Sequence, residues 1–135
     1  MKGLFVLLSL VLVLNASSMK DKQKLQNQNI IDMAAKSLSQ NLPQKVDKYT
    51  SLVDIKAQKG RLVYIFEINA PVSDEDIIKK DKTRMQRSIT YGVCKSSKRF
   101  LDSDIKISYL YRGAKSKKEL FRFDIDKSQC DFLPM

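Results

Sequence analysis

The chain has 135 residues, with 25 Lys and Arg against 15 Asp and Glu, and a formal net charge of +10. It contains no histidine, two cysteines and four glycines. These counts exclude a Ser-His-Asp triad, a histidine-ligated zinc site and a glycine-rich phosphate loop, because each needs residues that the chain lacks. The composition therefore predicts one domain that is not an enzyme and holds no metal or cofactor.

Residues 1–18 have the pattern of a secretory signal peptide. A lysine precedes an apolar run from Gly3 to Leu14, and small residues follow that run. The run is short for a membrane span, which takes about 20 residues. We predict a signal peptide over 1–18, cleaved after Ala16 or Ser18, and a periplasmic or secreted protein. An uncleaved membrane anchor is the alternative.

The predicted export determines how the two cysteines are interpreted. In an oxidising compartment, a pair of cysteines is most simply a structural disulfide. Cys94 and Cys130 lack the close C-x-x-C spacing that is typical of redox-active pairs. We therefore predict a disulfide between Cys94 and Cys130.

The apolar periodicity predicts the element order α-β-β-α-β-β for a single domain over 30–135, preceded by a flexible tail over 19–29. The first helix stops before Pro43, because a residue that precedes proline avoids the helical region. The predicted strands, which alternate between apolar and polar residues, are 50–57, 62–68, 104–111 and 120–125. This order favours an α+β fold, in which helices cover one face of a four-stranded antiparallel sheet.

The second predicted helix runs from Ser73 to Gly92. Ser73 is a suitable cap, and the acidic residues 74–76 lie where the helix dipole favours negative charge. Gly92 fits the end of the helix. A metal or acid–base site at the same carboxylates is the less favoured interpretation.

Basic residues form two clusters, which together predict a patch for an anionic partner. The seven residues are Lys95, Lys98 and Arg99 after the second helix, and Arg112, Lys115, Lys117 and Lys118 in the last hairpin. The partner would be an acidic protein, an acidic glycan or an anionic membrane surface. Nucleic acid does not fit an exported protein. An ordinary solvated surface is the alternative interpretation of both clusters.

Four aromatic residues alternate on the last two predicted strands. They are Tyr109, Tyr111, Phe121 and Phe123. Such residues on facing strands favour cross-strand core pairs over the walls of a ligand cleft, which remains the alternative.

Laid out in this way, the chain resembles the small β-type pilotins of the type II secretion system and related exported proteins. The residues that carry the resemblance are Leu42-Pro43, the strand 62–68, the segment Tyr91-Gly92-Val93-Cys94, the segments 105–109 and 111–113, and Cys130. The resemblance implies an α/β domain with a Cys94–Cys130 disulfide. It also implies binding of a short segment of an outer-membrane secretin, which folds on a groove of the pilotin. Those pilotins are typically lipoproteins, whereas Ser17 and Ser18 follow the apolar run here.

These observations lead to one functional hypothesis and one alternative. The hypothesis is an exported, non-enzymatic binding protein of the bacterial envelope, which binds a secretion or assembly component or another envelope protein. The alternative is a periplasmic inhibitor or immunity protein that neutralises a secreted enzyme through its basic loops.

Overall fold

The structure, a computed structural model, describes the backbone of residues 2–131 and the side chains of residues 19–131. Its helices are α1 (Lys2–Leu38), α2 (Glu75–Lys79), α3 (Lys82–Ser96), α4 (Lys98–Asp102) and α5 (Lys127–Cys130). Its strands are β1 (Gln44–Lys45), β2 (Thr50–Gln58), β3 (Arg61–Ile68), β4 (Lys106–Gly113) and β5 (Glu119–Ile125). The α+β class is therefore confirmed. The last four residues of the predicted domain, 132–135, lie outside the described residues.

The sheet differs from the predicted four antiparallel strands in two ways. It has five strands in the order β1-β2-β3-β4-β5. Its central pair is parallel, since β3 and β4 run in register from Arg61 beside Lys106 to Ile68 beside Gly113. The other neighbouring strands are antiparallel, so the sheet is mixed.

Both differences have a physical reason. β1 has only two residues, which pair with Ser51 and Leu52, and so short a strand shows no alternation in the sequence. The parallel pair arises because the connection from β3 to β4 passes through α2, α3 and α4 before it returns to the start of β3. A crossover through helices is the usual connection between parallel strands. Alternation within a strand does not show which direction its neighbour takes.

The helix α1 includes the segment for which we predict a flexible tail. Residues 19–29 are helical and continue without interruption to Leu38. The Asn27 side chain donates to the Ser103 carbonyl at 2.8 Å, and Gln28 donates to the Gln58 carbonyl at 3.1 Å. These amide side chains attach the helix to the end of β2 and to the loop that follows α4. No helix in the described part of the chain has the length and apolar character that crossing a membrane requires.

The second predicted helix is divided, and it ends later than expected. A 3₁₀ turn over Val72–Asp74 leads into α2, and a break follows before α3 begins. No side chain caps α2, so the predicted Ser73 cap is wrong. Gly92 lies inside α3. Glycine in a helix costs about 1 kcal/mol, and the burial of Val93 and Cys94 in the core offsets that cost.

The core lies between the helices and one face of the sheet. Ile31 of α1, Leu62 of β3 and Ile107 of β4 are fully buried there. Cys94 of α3 forms a disulfide with Cys130 of α5, as predicted. This bond links the end of the long helix to the segment that follows the last strand.

Candidate functional site

The helices leave part of the sheet's inner face open. α1 lies against β2 and β3, whereas α2 and α3 lie against β5. The central strands β3 and β4 therefore form the floor of a groove between the two sets of helices. We call this space the groove.

The groove has a volume of about 470 Å³. Its lining residues are Ala34, Ser37 and Leu38 of α1, Tyr64 of β3, Tyr109 of β4, and Ser96, Ser97 and Phe100 around the start of α4. Aromatic rings, aliphatic side chains and several hydroxyl groups thus surround one concave space. This size and mixed lining are typical of sites that bind a ligand or a few side chains of a partner.

Two tyrosines form the floor of the groove. The ring centroids of Tyr64 and Tyr109 are 5.1 Å apart, with the rings tilted by 46°. Burial, and secondarily the neighbouring Tyr109, raises the pKa of Tyr64 to about 12, against a smaller opposing effect of the Ser97 hydroxyl. Burial also raises the pKa of Tyr109, while a hydrogen bond with Ser96 opposes this. Both phenols therefore stay neutral at physiological pH, where they donate hydrogen bonds but do not act as bases.

The predicted aromatic residues form the expected cross-strand contacts. Tyr111 and Phe121 meet edge to face with centroids 6.0 Å apart, and Tyr111 stacks on Phe66 at 4.6 Å. Tyr111, Phe121 and Phe123 are buried in the core. Tyr109 belongs to the same ladder, with its ring centroid 4.9 Å from that of Phe66, and it also lines the groove.

The sequence alone does not identify most of the residues that line the groove. The alternation along β3 predicts that Tyr64 lies on the inner face of the sheet, but it does not predict that Tyr64 borders a groove. Phe100 follows two basic residues in a segment without clear periodicity, which forms α4. Tyr109 is the groove residue that the sequence analysis considered as part of a ligand cleft. Leu38, at the end of α1, keeps 43% of its surface exposed.

The structure does not bring the seven predicted basic residues into one patch. Lys95, Lys98 and Arg99 lie at the junction of α3 and α4, beside the groove residues Ser96, Ser97 and Phe100. We call these three the groove cluster. The hairpin cluster, which comprises Arg112, Lys115, Lys117 and Lys118, lies at the end of β4 and in the turn that leads to β5. The groove cluster adjoins residues on the inner face of the sheet, whereas Arg112 pairs with Glu67 on the opposite face, so the clusters are separate surfaces.

Half of the hairpin cluster is occupied by a carboxylate of the protein itself. Arg112 and Lys117 each contact Glu67 Oε2 at 2.8 Å. Burial on its own raises the pKa of Glu67, but the hydrogen bonds from Lys117 and Arg112 outweigh burial and lower the pKa. Glu67 lies on the face of the sheet opposite the core, where it fixes the hairpin to β3.

Glu67 should therefore contribute to the stability of the fold above its unfolded pKa. Because its folded pKa lies below the ordinary value of 4.5, that contribution is present at neutral pH and is lost as the pH falls through the folded pKa. We expect Glu67→Gln to be less stable than the wild type at neutral pH. The gap in unfolding free energy should narrow below about pH 4.5. Urea denaturation at several pH values measures this gap, and a gap that does not change with pH would contradict the assignment.

The acidic residues at the start of α2 do not form a metal site. Among residues 19–131, no group of three potential metal ligands lies close together. Glu75 is buried, accepts a hydrogen bond from Ser116 and lies against Gly113. A Cβ at Gly113 would meet the Glu75 carboxylate and the Ser116 hydroxyl, so a larger residue there would displace these side chains. The carboxylate therefore holds the β4–β5 hairpin against α2.

The fold is shared with solved structures of low sequence identity. A Pseudomonas aeruginosa protein, provisionally named as secreted, is 13% identical with a TM-score of 0.72 over 80% of this chain and 96% of the other. The Vibrio vulnificus type II secretion pilotin EpsS is 14% identical with a TM-score of 0.62 over 85% and 99%.

The Vibrio cholerae type II secretion pilotin AspS is also 14% identical, with a TM-score of 0.61 over 82% of this chain and 98% of the other. No protein-family model and no curated relative matches the sequence. The predicted resemblance to pilotin-like exported proteins is therefore confirmed at the level of the fold.

Proposed function

We propose that this protein is a non-enzymatic binding protein of the bacterial envelope, which holds a short apolar segment of another envelope protein in the groove. The observation that carries the proposal is the groove itself, where Leu38, Phe100 and two tyrosines surround an open concave space. A helix or loop with one or two apolar side chains would bury them there. The partner is a secretion or assembly component, in line with the pilotin fold.

The geometry of the walls supports a role in binding. Both walls are helical, and α1 is held to the sheet by the buried residues Ile31 and Ala35. A rigid wall lowers the entropic cost of binding, because little has to be ordered when the partner arrives. The floor tyrosines offer flat apolar surfaces with hydroxyl groups, a combination that is enriched at protein interfaces.

The proposed location rests on the sequence and agrees with the disulfide. We propose that residues 1–18 direct export and that the mature domain resides in the periplasm or is secreted. The bond between Cys94 and Cys130 is the kind of crosslink that persists in oxidising compartments. The non-enzymatic role agrees with a groove whose titratable residues are two neutral phenols.

Site-specific photo-crosslinking in intact cells of the source organism tests this function. A photoreactive amino acid replaces Ser37, in the groove wall, and in a matched variant it replaces Ser88, an exposed serine of α3 outside the groove. We expect a crosslink to one envelope protein from position 37 and none to that protein from position 88. Equal crosslinking from both positions, or none from position 37, would contradict the proposal.

A further inference from the structure

We propose that the segment bound in the groove is a protein segment with carboxylates beside its apolar anchor residues. This inference rests on the proposed function and specifies the partner. Three basic residues immediately neighbour groove residues in the chain: Lys36 precedes Ser37, Lys95 precedes Ser96, and Arg99 precedes Phe100. Neighbouring Cα atoms are about 3.8 Å apart, so each of these long side chains starts next to a residue that lines the groove.

These three basic side chains are available to bind carboxylates of a partner. All three are exposed, and among the described side chains no ion pair involves any of them. They approach the groove from both walls, since Lys36 belongs to α1 while Lys95 and Arg99 lie at the α3–α4 junction. An acidic segment in the groove would therefore meet positive charge on both sides.

The carboxylates near the rim do not cancel this charge. Asp102 is paired with Lys98 at 2.8 Å, and that pair is neutral as a whole. Asp32 lies one helical turn before Lys36 and accepts a hydrogen bond from Gln28 at 3.2 Å. Neither of these carboxylates pairs with Lys36, Lys95 or Arg99, so the three cations keep their positive charge at the rim.

In the hairpin cluster, by contrast, some of the basic residues are already paired with a carboxylate of the protein. Its Arg112 and Lys117 already bind Glu67, on the face of the sheet opposite the groove. Its other members, Lys115 and Lys118, are exposed and lie away from the groove. They form a control of equal charge at a different place.

A protein segment fits the groove better than an anionic membrane. The tyrosines on the floor are half-buried between two helical walls, so a flat bilayer would not reach them. A helix or loop carries apolar and acidic side chains at short spacing, which matches apolar walls with a basic rim. Charge complementarity of this kind favours association and sets specificity.

Two synthetic helical peptides test the inference. Both carry leucine on one face, and the remaining face is glutamate in the first peptide and lysine in the second. Binding is measured by fluorescence anisotropy with the wild type, with Lys95→Glu/Arg99→Glu, and with the control Lys115→Glu/Lys118→Glu. The two double variants have the same net charge, so only the position of the change differs.

We expect the wild type to prefer the glutamate peptide. The groove-cluster variant should bind that peptide about tenfold more weakly, and the control should bind it within about twofold of the wild type. Higher salt should reduce the difference, because the charges are exposed. An equal effect of both double variants would overturn the inference. So would vesicles with anionic lipids that bind the protein through Lys95 and Arg99 while the peptides show no charge preference.

The groove-filling variant Ser37→Trp separates this inference from the proposed function. If both peptides bind equally well and Ser37→Trp blocks them, the groove binds apolar segments and only the acidic preference is wrong. If Ser37→Trp leaves peptide binding unchanged, the groove is not the binding site and the proposed function fails as well.

Discussion

Removal of the disulfide between Cys94 and Cys130 should lower the free energy of unfolding by about 4 kcal/mol. The two cysteines are 36 residues apart in the chain. In the chain-entropy model, a crosslink over such a loop stabilises the fold by restricting the unfolded chain. The loop contains α4, β4 and β5, so loss of the crosslink should affect two of the five strands.

Urea denaturation of Cys94→Ala/Cys130→Ala beside the wild type measures this effect. Alanine is preferred because Cys94 is 1% exposed, and a serine hydroxyl would be buried without a defined partner. Reductant should bring the wild type close to the variant and leave the variant unchanged. If the unfolding free energy of the variant lies within about 1 kcal/mol of that of the oxidised wild type, the crosslink contributes little to stability.

Replacement of Ile31 by alanine should cost about 3 kcal/mol of unfolding free energy. Ile31 is the fully buried residue through which α1 enters the core, with 0% of its surface exposed. Truncation leaves a cavity under the helix that also forms one wall of the groove. The same variant should therefore bind the groove's partner more weakly, at temperatures where it is still folded.

Met33→Ala provides the matched control for this prediction. Met33 lies two positions further along the same helix and is 71% exposed. Substitutions at such exposed sites usually change stability by less than about 0.5 kcal/mol. Thermal or urea denaturation of the two variants compares them directly. Similar costs at both positions would mean that α1 is not anchored through Ile31.

The strands were predictable because their alternation is local. The segment Thr50–Gln58 shows both the strength and the limit of this pattern. Its inner residues follow alternation on each side of a bulge between Leu52 and Asp54. Leu52 pairs with Phe66 and Ile55 with Tyr64, so both face the core although they are three positions apart. The apolar pattern of the sequence does not reveal the extra residue of a bulge.

The groove could not be predicted from the sequence, because it depends on the spacing between helices. Ser37, Tyr64, Phe100 and Tyr109 come from four elements that are distant in the chain. Each alone is typical of an ordinary helix, strand or turn. The basic residues, in contrast, were visible in the sequence. Their division into two clusters was visible as well, but only the structure shows that one cluster adjoins the groove and that the other pairs with Glu67.

The central claim is that the groove binds a segment of another envelope protein. Isothermal titration calorimetry tests it most directly, with a synthetic peptide of the segment that is crosslinked from position 37. We predict saturable binding to the wild type, loss of binding to Ser37→Trp, and unchanged binding to the exposed control Ser88→Trp. Equal binding to all three proteins, or no binding to the wild type, would contradict the claim.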